Sequence, residues 1–181
     1  MKTERKLYIL DWAIDIAIAS IIVYMITTFA FQNMYVVGSS MEPTLKNGEA
    51  VLVNKLTYLI KEPNRYDIVT FRHINTSHEE INFVKRIIGI PDDKIDIVNN
   101  VIYVNGEVLG LPTDAYNKDS IIKTGNMRYP IIVPKESYFV LGDNKSNSID
   151  SRYLEVGMIP KKELIGKICV RIWPLWKYKI F

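Results

Sequence analysis

From Ile16 to Met41 no side chain is charged, and from about Trp12 to Phe31 the chain is apolar, interrupted only by Asp15 near its start. Nothing else in the sequence limits the possible folds as strongly. A bilayer-spanning helix needs roughly 20 mostly apolar residues, and this stretch reaches that length. Lys2, Arg5 and Lys6 precede it, against Glu4 and Asp11. The positive-inside tendency counts Lys and Arg, so residues 1–11 are expected in the cytoplasm, 12–31 in the membrane and 32–181 outside. Trp12 and Tyr35 suit the two interfaces. Two other readings stand beside the permanent anchor. One is a cleaved secretory signal, for which Thr28-Phe29-Ala30 is better placed than Ala17-Ile18-Ala19 inside the apolar run. The other is a buried core helix. No later segment is long and apolar enough to span.

The 181 residues allow one compact domain besides the anchor. A net charge of +3 points to neither a nucleic-acid binder nor an acidic disordered chain. A single cysteine, Cys169, makes no intrachain disulfide and no cysteine metal site. No metal or cofactor is expected.

After the anchor the pattern turns to short β-strands. Strands are predicted at Ala50–Val53, Asp67–Phe71, Asn82–Ile90, Lys94–Val98, Val101–Val104, Ile131–Val133, Tyr138–Leu141 and Ile165–Ile172. Asn99-Asn100 and Asn105-Gly106 are turn signals, and Asn-Gly between extended runs marks a hairpin because both turn positions need positive φ. Pro112–Pro130 and His73–Glu80 read as polar loops, and Asn54–Ile60 as one short helical turn. The expectation is a mainly β, coiled-barrel or sandwich-like catalytic domain behind one transmembrane helix.

Two residues carry the chemistry. On a strand Phe83, Lys85 and Ile87 share a face, with Arg86 on the other. If that face is buried, desolvation lowers the lysine pKa. A free lysine sits near pKa 10.4, and neutralising it at pH 7 costs roughly 4–5 kcal/mol. A buried neutral lysine can take the proton of a serine hydroxyl. The alternative is a surface lysine beside a surface arginine. Ser40 lies in the small-residue turn Gly38-Ser39-Ser40, stiffened by Pro43. Such a turn allows close approach of a substrate backbone, though polar turns after helices are common. His73 and His78 lie in a polar loop without an evident carboxylate partner, and Cys169 sits in an apolar strand where structural cysteines are usual.

Four local patterns occur in order: Ser39-Ser40-Met41-Glu42-Pro43-Thr44-Leu45, Tyr66-Asp67-Ile68-Val69, Lys85-Arg86-Ile87-Ile88-Gly89-Ile90-Pro91, and Gly142-Asp143-Asn144 through Ser148, Asp150, Ser151 and Arg152. Together they resemble the boxes of bacterial type I signal peptidases over nearly the whole chain. The resemblance implies a Ser40 nucleophile that forms an acyl-enzyme, with Lys85 as general base for both steps. It implies that Ser148 hydrogen-bonds the lysine, that Asp150 and Arg152 brace the site, and that the Ser40 N–H is one oxyanion donor. Met41, Phe83 and Val84, beside the dyad, are the candidates for substrate contact. The implied substrates are signal peptides of exported precursors, bound as an added strand and cut after small residues in an Ala-x-Ala pattern. The implied enzyme works as a monomer on the bilayer, without nucleic acid.

Gly38 stands where Gram-negative members have a serine that helps the oxyanion hole, and glycine there is usual in compact Gram-positive members. Lys145 stands where an arginine is frequent, and Pro91-Asp92-Asp93 replaces the usual Pro-Gly-Asp. Rival readings are other serine–lysine peptidases, such as SOS repressors or plasmid-transfer peptidases, and a tethered β-domain that binds secreted chains without cutting them. The tail from Trp173 to Phe181 mixes aromatics with basic residues, which suits either a membrane interface or a last strand capping the core.

Overall fold

The computed structural model describes residues 2–74, 77–110 and 123–181, with backbone conformation alone for 2–10. Helix α1 (Lys2–Ala30) passes without a linker into strand β1 (Phe31–Tyr35). The helix therefore begins before the apolar run, and Phe31 already belongs to the sheet. Residues 11–29 are exposed throughout, unlike a core helix, and Asp11–Ala30 is long and apolar enough to cross a membrane.

The remaining elements are mainly β: β2 (Ala50–Asn54), a helical turn α2 (Thr57–Ile60), β3 (Ile68–Ile74), β4 (Glu80–Gly89), β5 (Lys94–Val98), β6 (Val101–Val104), β7 (Glu107–Val108), β8 (Ile131–Ile132), β9 (Ser137–Leu141), β10 (Ile159–Pro160), β11 (Leu164–Trp173) and β12 (Lys179–Ile180). They form an eight-stranded sheet in the order β1-β2-β11-β3-β4-β9-β10, with β12 on β11, and a four-stranded sheet β7-β6-β5-β8. Every pairing is antiparallel.

Strand alternation sorts the core. Val69, Phe71, Ile87 and Val140 enter one buried cluster. Their neighbours Ile68, Ile88, Phe139 and Leu141 enter two others, one of which holds Ile95, Ile97 and Ile102 of the small sheet. The second half of β4 is thus buried on both faces, which a strand lying between two packed layers requires.

The turns read from asparagine hold, with positive φ at Asn99, Asn100, Asn105 and Gly106. The His73–Glu80 loop is corrected, whereas the described part of Pro112–Pro130 is an irregular, largely exposed loop as expected. His73–Glu80 is largely a β3–β4 hairpin whose ladder reaches Ile74↔Glu80, with residues 75–76 outside the description. Of Pro112–Pro130, the part at 112–122 lies outside the described residues. The rest is held by Arg152, whose carbonyl accepts from Asn126 N and Met127 N. The tail fits the reading of a last strand against the core. β12 pairs with β11 and Phe181 packs against the core, yet Trp176 and Tyr178 stay exposed.

Candidate active site

After β1 the chain turns back at Gly38, whose φ of +87° favours glycine and whose N–H donates to Asn47 Oδ1 at 2.9 Å. Met41 and Leu45 then plug the core beneath the turn, being 1% and 0% exposed. With these apolar posts fixed, Ser40 stands at the surface of the turn, half-buried.

Lys85 arrives from β4, paired with Val69. It is 4% exposed, and its Nζ lies 2.8 Å from Ser40 Oγ. The surface-lysine alternative is overturned, because both Lys85 and Arg86 are buried, one on each face of the strand. Burial lowers the Lys85 pKa to about 8, against the upward pull of Asp150 and Asp143 and with help from Arg152. The ammonium also lies 5.0 Å from the Phe83 ring centroid, which favours the charged form.

Two buried ion pairs lie around this serine–lysine contact. Arg152 grips Asp150 with Nε at 2.7 Å and Nη2 at 2.8 Å, both residues being 0% exposed. Asp150 Oδ2 also accepts from Gly142 N, and Arg152 Nη1 donates to the carbonyls of Lys145 and Lys123. Arg86 grips Asp143 at 2.9 and 2.8 Å, and Asp143 Oδ2 accepts from Thr44 Oγ1. This second pair ties β4 to the turn that carries Ser40 and Thr44. Buried charges survive only when paired and hydrogen-bonded, as these are.

The turn that follows β9 clamps the main chain of Ser39 and Ser40. Asn144 N donates to Ser40 O at 3.0 Å, and Asn144 Nδ2 to Ser39 O at 3.2 Å. Gly142 makes the close approach possible, since a Cβ there would stand 2.4 Å from Ser40 O and 2.2 Å from Ser148 Oγ. The Ser148–Lys85 hydrogen bond that the resemblance implies is not made. Ser148 Oγ is buried against Gly142 and has no hydrogen-bond partner among the described residues.

A cleft of about 540 Å³ opens beside Ser40 and Lys85. One wall runs from Met34 to Met41, the other from Asn82 to Lys85, with Asn147 and Ile149 at one end. Met41, Phe83 and Val84 all line it. β9 pairs with β4 only from Arg86 to Gly89, so among the described residues no strand pairs with Asn82–Lys85 on that side.

The other candidates lie apart from this contact. His73 stacks on Phe83 at 5.0 Å, and burial pushes the Cys169 thiol pKa up. Among the described residues, no group of three His, Cys, Asp or Glu side chains could hold a metal ion. Arg86, Asp143, Thr44 and Asn144 had been given no role from sequence. All four lie inside the motif boxes, but no local pattern tells which of them meet.

The family model described as signal peptidase, peptidase S26, matches residues 9–173. Signal peptidase I P of Bacillus subtilis subsp. natto is 38% identical over 178 residues, 95% of this chain and 93% of that protein. Signal peptidase IB of Staphylococcus aureus (strain COL) is 36% identical over 186 residues, covering 96% and 94%. A crystal structure of a signal peptidase I from Enterococcus faecalis V583 aligns with TM-score 0.46 and 28% identity over 60% of this chain and 97% of that one.

Proposed function

This chain belongs to the signal peptidase (peptidase S26) family, a family of serine endopeptidases, and we propose that it removes signal peptides from exported precursors through the Ser40–Lys85 dyad. The observation that carries the reading is the 2.8 Å contact between Ser40 Oγ and a lysine that burial holds near pKa 8.

Neutral Lys85 accepts the Ser40 proton as Oγ attacks the scissile carbonyl. Ser40 N, on a main chain clamped by Asn144, donates to the developing oxyanion. The resulting Lys85 ammonium then gives its proton to the leaving amine, which departs as the acyl-enzyme forms. A water that gives its proton to Lys85 attacks the ester, and Lys85 returns that proton to Ser40 Oγ as the acyl C–O bond breaks. The precursor lies along the open edge of Asn82–Lys85 as an added strand. Alternate side chains of that strand face the same wall, so the first and third residues before the bond meet the floor that Met41 packs. Small residues at those two positions, the Ala-x-Ala pattern, are part of this proposal.

The enzyme is membrane-anchored, and in the proposed topology α1 spans the bilayer with the N-terminus in the cytoplasm. About ten residues separate Ala30 from Ser40, so the nucleophile stands no more than roughly 35 Å from the helix end. A precursor held in the same bilayer meets it at a raised effective concentration.

Cleavage of a fluorogenic Ala-x-Ala peptide tests the dyad. Activity should rise with pH through about 8, because only the neutral Lys85 amine accepts a proton. Ser40→Ala and Lys85→Arg should each lose roughly 10³-fold or more, the guanidinium remaining protonated at every usable pH. Substantial cleavage by Lys85→Arg would exclude Lys85 as the base.

A further inference from the structure

A second buried lysine near the dyad has no role in the steps above. Lys145 is 3% exposed, and its Nζ donates to Gly142 O at 3.0 Å and Asp143 O at 3.4 Å. Its own carbonyl accepts from Arg152 Nη1 at 2.8 Å. The ammonium thus sits inside the 142–147 turn, tied by two carbonyls, while Arg152 holds the main chain of Lys145 itself. The outer side of the same turn touches the nucleophile. Asn144 N holds Ser40 O, Asn144 Nδ2 holds Ser39 O, and Asn147 Nδ2 holds Ser39 Oγ at 2.8 Å. The Ser40 N–H proposed as oxyanion donor belongs to the main chain that these bonds orient.

We propose that Lys145 is a positioning residue of the reaction: its ammonium form holds the 142–147 turn against the main chain of Ser40, so turnover requires Lys145 charged while Lys85 is neutral. The proposal rests on the dyad reading. Its physical basis is the difference between two protonation states. An ammonium has three N–H groups and a charge facing carbonyl dipoles, and such charge-assisted bonds are about twice as strong as neutral ones. A neutral amine keeps two N–H groups but loses that attraction.

The charged groups facing Lys145 are Asp143 and Asp150, which favour the ammonium, and Arg152 and Arg86, which oppose it. Burial, the largest cause, acts with the two arginines against the two carboxylates and lowers its pKa to about 8. Lys85 and Lys145 therefore titrate in the same range, while catalysis needs them in opposite states. A bell-shaped pH dependence follows, rising with loss of the Lys85 proton and falling with loss of the Lys145 proton. Arginine at position 145 would keep its charge at every accessible pH.

The test measures kcat and KM of the full chain in detergent on an Ala-x-Ala peptide from pH 6.5 to 10.5. Wild-type kcat should peak near pH 8 and fall about fivefold or more by pH 10, whereas Lys145→Arg should rise alike and hold within about twofold of its maximum. Lys145→Met should lower kcat about tenfold or more with KM within about threefold, the sign of a lost transition-state alignment. If the methionine variant does not fold, the arginine profile alone decides. A wild type without a descending limb overturns the proposal. So does an arginine variant that keeps the limb, or a methionine variant with wild-type kcat. Lys85→Met separates the two readings. An active Lys85→Met sinks the dyad, whereas an inactive one beside an unchanged Lys145→Arg profile sinks only the role of Lys145.

Discussion

The two sheets use burial for opposite ends. In the four-stranded sheet β5 and β6 pair in uninterrupted register, and Ile95, Ile97 and Ile102 project into an apolar cluster. In the eight-stranded sheet the ladders shift between β2 and β11, between β3 and β11, and between β4 and β9. Beside that last irregularity lie Lys85, Arg86, Asp143, Lys145, Asp150 and Arg152, all buried. The small sheet gains stability from its interior. The large sheet gives some up, because desolvating charges costs several kcal/mol per ion before pairing offsets it. What it obtains is a lysine neutral enough to act as a base and arginine–carboxylate pairs that fix the groups around it. Buried charge is therefore concentrated where the chemistry is proposed.

Breaking an ion pair should give the largest loss of stability. Arg152→Met leaves Asp150 buried and uncompensated, and chemical denaturation should register a loss of about 3–5 kcal/mol. Replacing both partners with apolar residues, Asp150→Leu with Arg152→Met, should cost less than the single change. Equal costs would mean that Asp150 finds other partners once Arg152 is gone.

Truncation in the other sheet separates stability from activity. Ile95→Ala, at a position 0% exposed, should cost about 2–5 kcal/mol by the same denaturation assay. Its kcat, corrected for the folded fraction, should equal that of wild type. A lowered kcat would show that the small sheet helps to position the dyad and would blur the contrast between the two.

The smallest effect concerns the tuning of Lys85. Leucine at position 83 removes the ring that favours the ammonium, so the Lys85 pKa should drop further. A contact worth about 0.5–1 kcal/mol shifts the rising limb of the pH profile down by about 0.4–0.7 units. An upward shift would mean that the Phe83 ring acts chiefly by shielding Lys85 from water.

The parts of this molecule legible in its sequence are those whose physics is local. The apolar run of α1 depends on length and composition, and the β5–β6–β7 hairpins depend on asparagine and glycine accepting positive φ. The alternation around Lys85 placed Phe83 and Ile87 on its face, and both pack in the same cluster. The motif boxes identified Ser40, Lys85, Asp150 and Arg152, and these converge at one site. What remained hidden depends on meetings between distant segments. β1 was missed because its five residues become a strand only by pairing with β2. The burial of Arg86 could not be read from β4, because it depends on Asp143, 57 positions later, and on Thr44 from the nucleophile turn. Lys145 reads as one more polar loop residue until the turn closes around it. Burial is set by everything packed against a side chain, and a charge becomes chemically unusual only when that enclosure is complete. The sequence could therefore bring Ser40 and Lys85 forward as candidates, but only the tertiary structure decided how deeply the lysines are desolvated and what holds the serine in place.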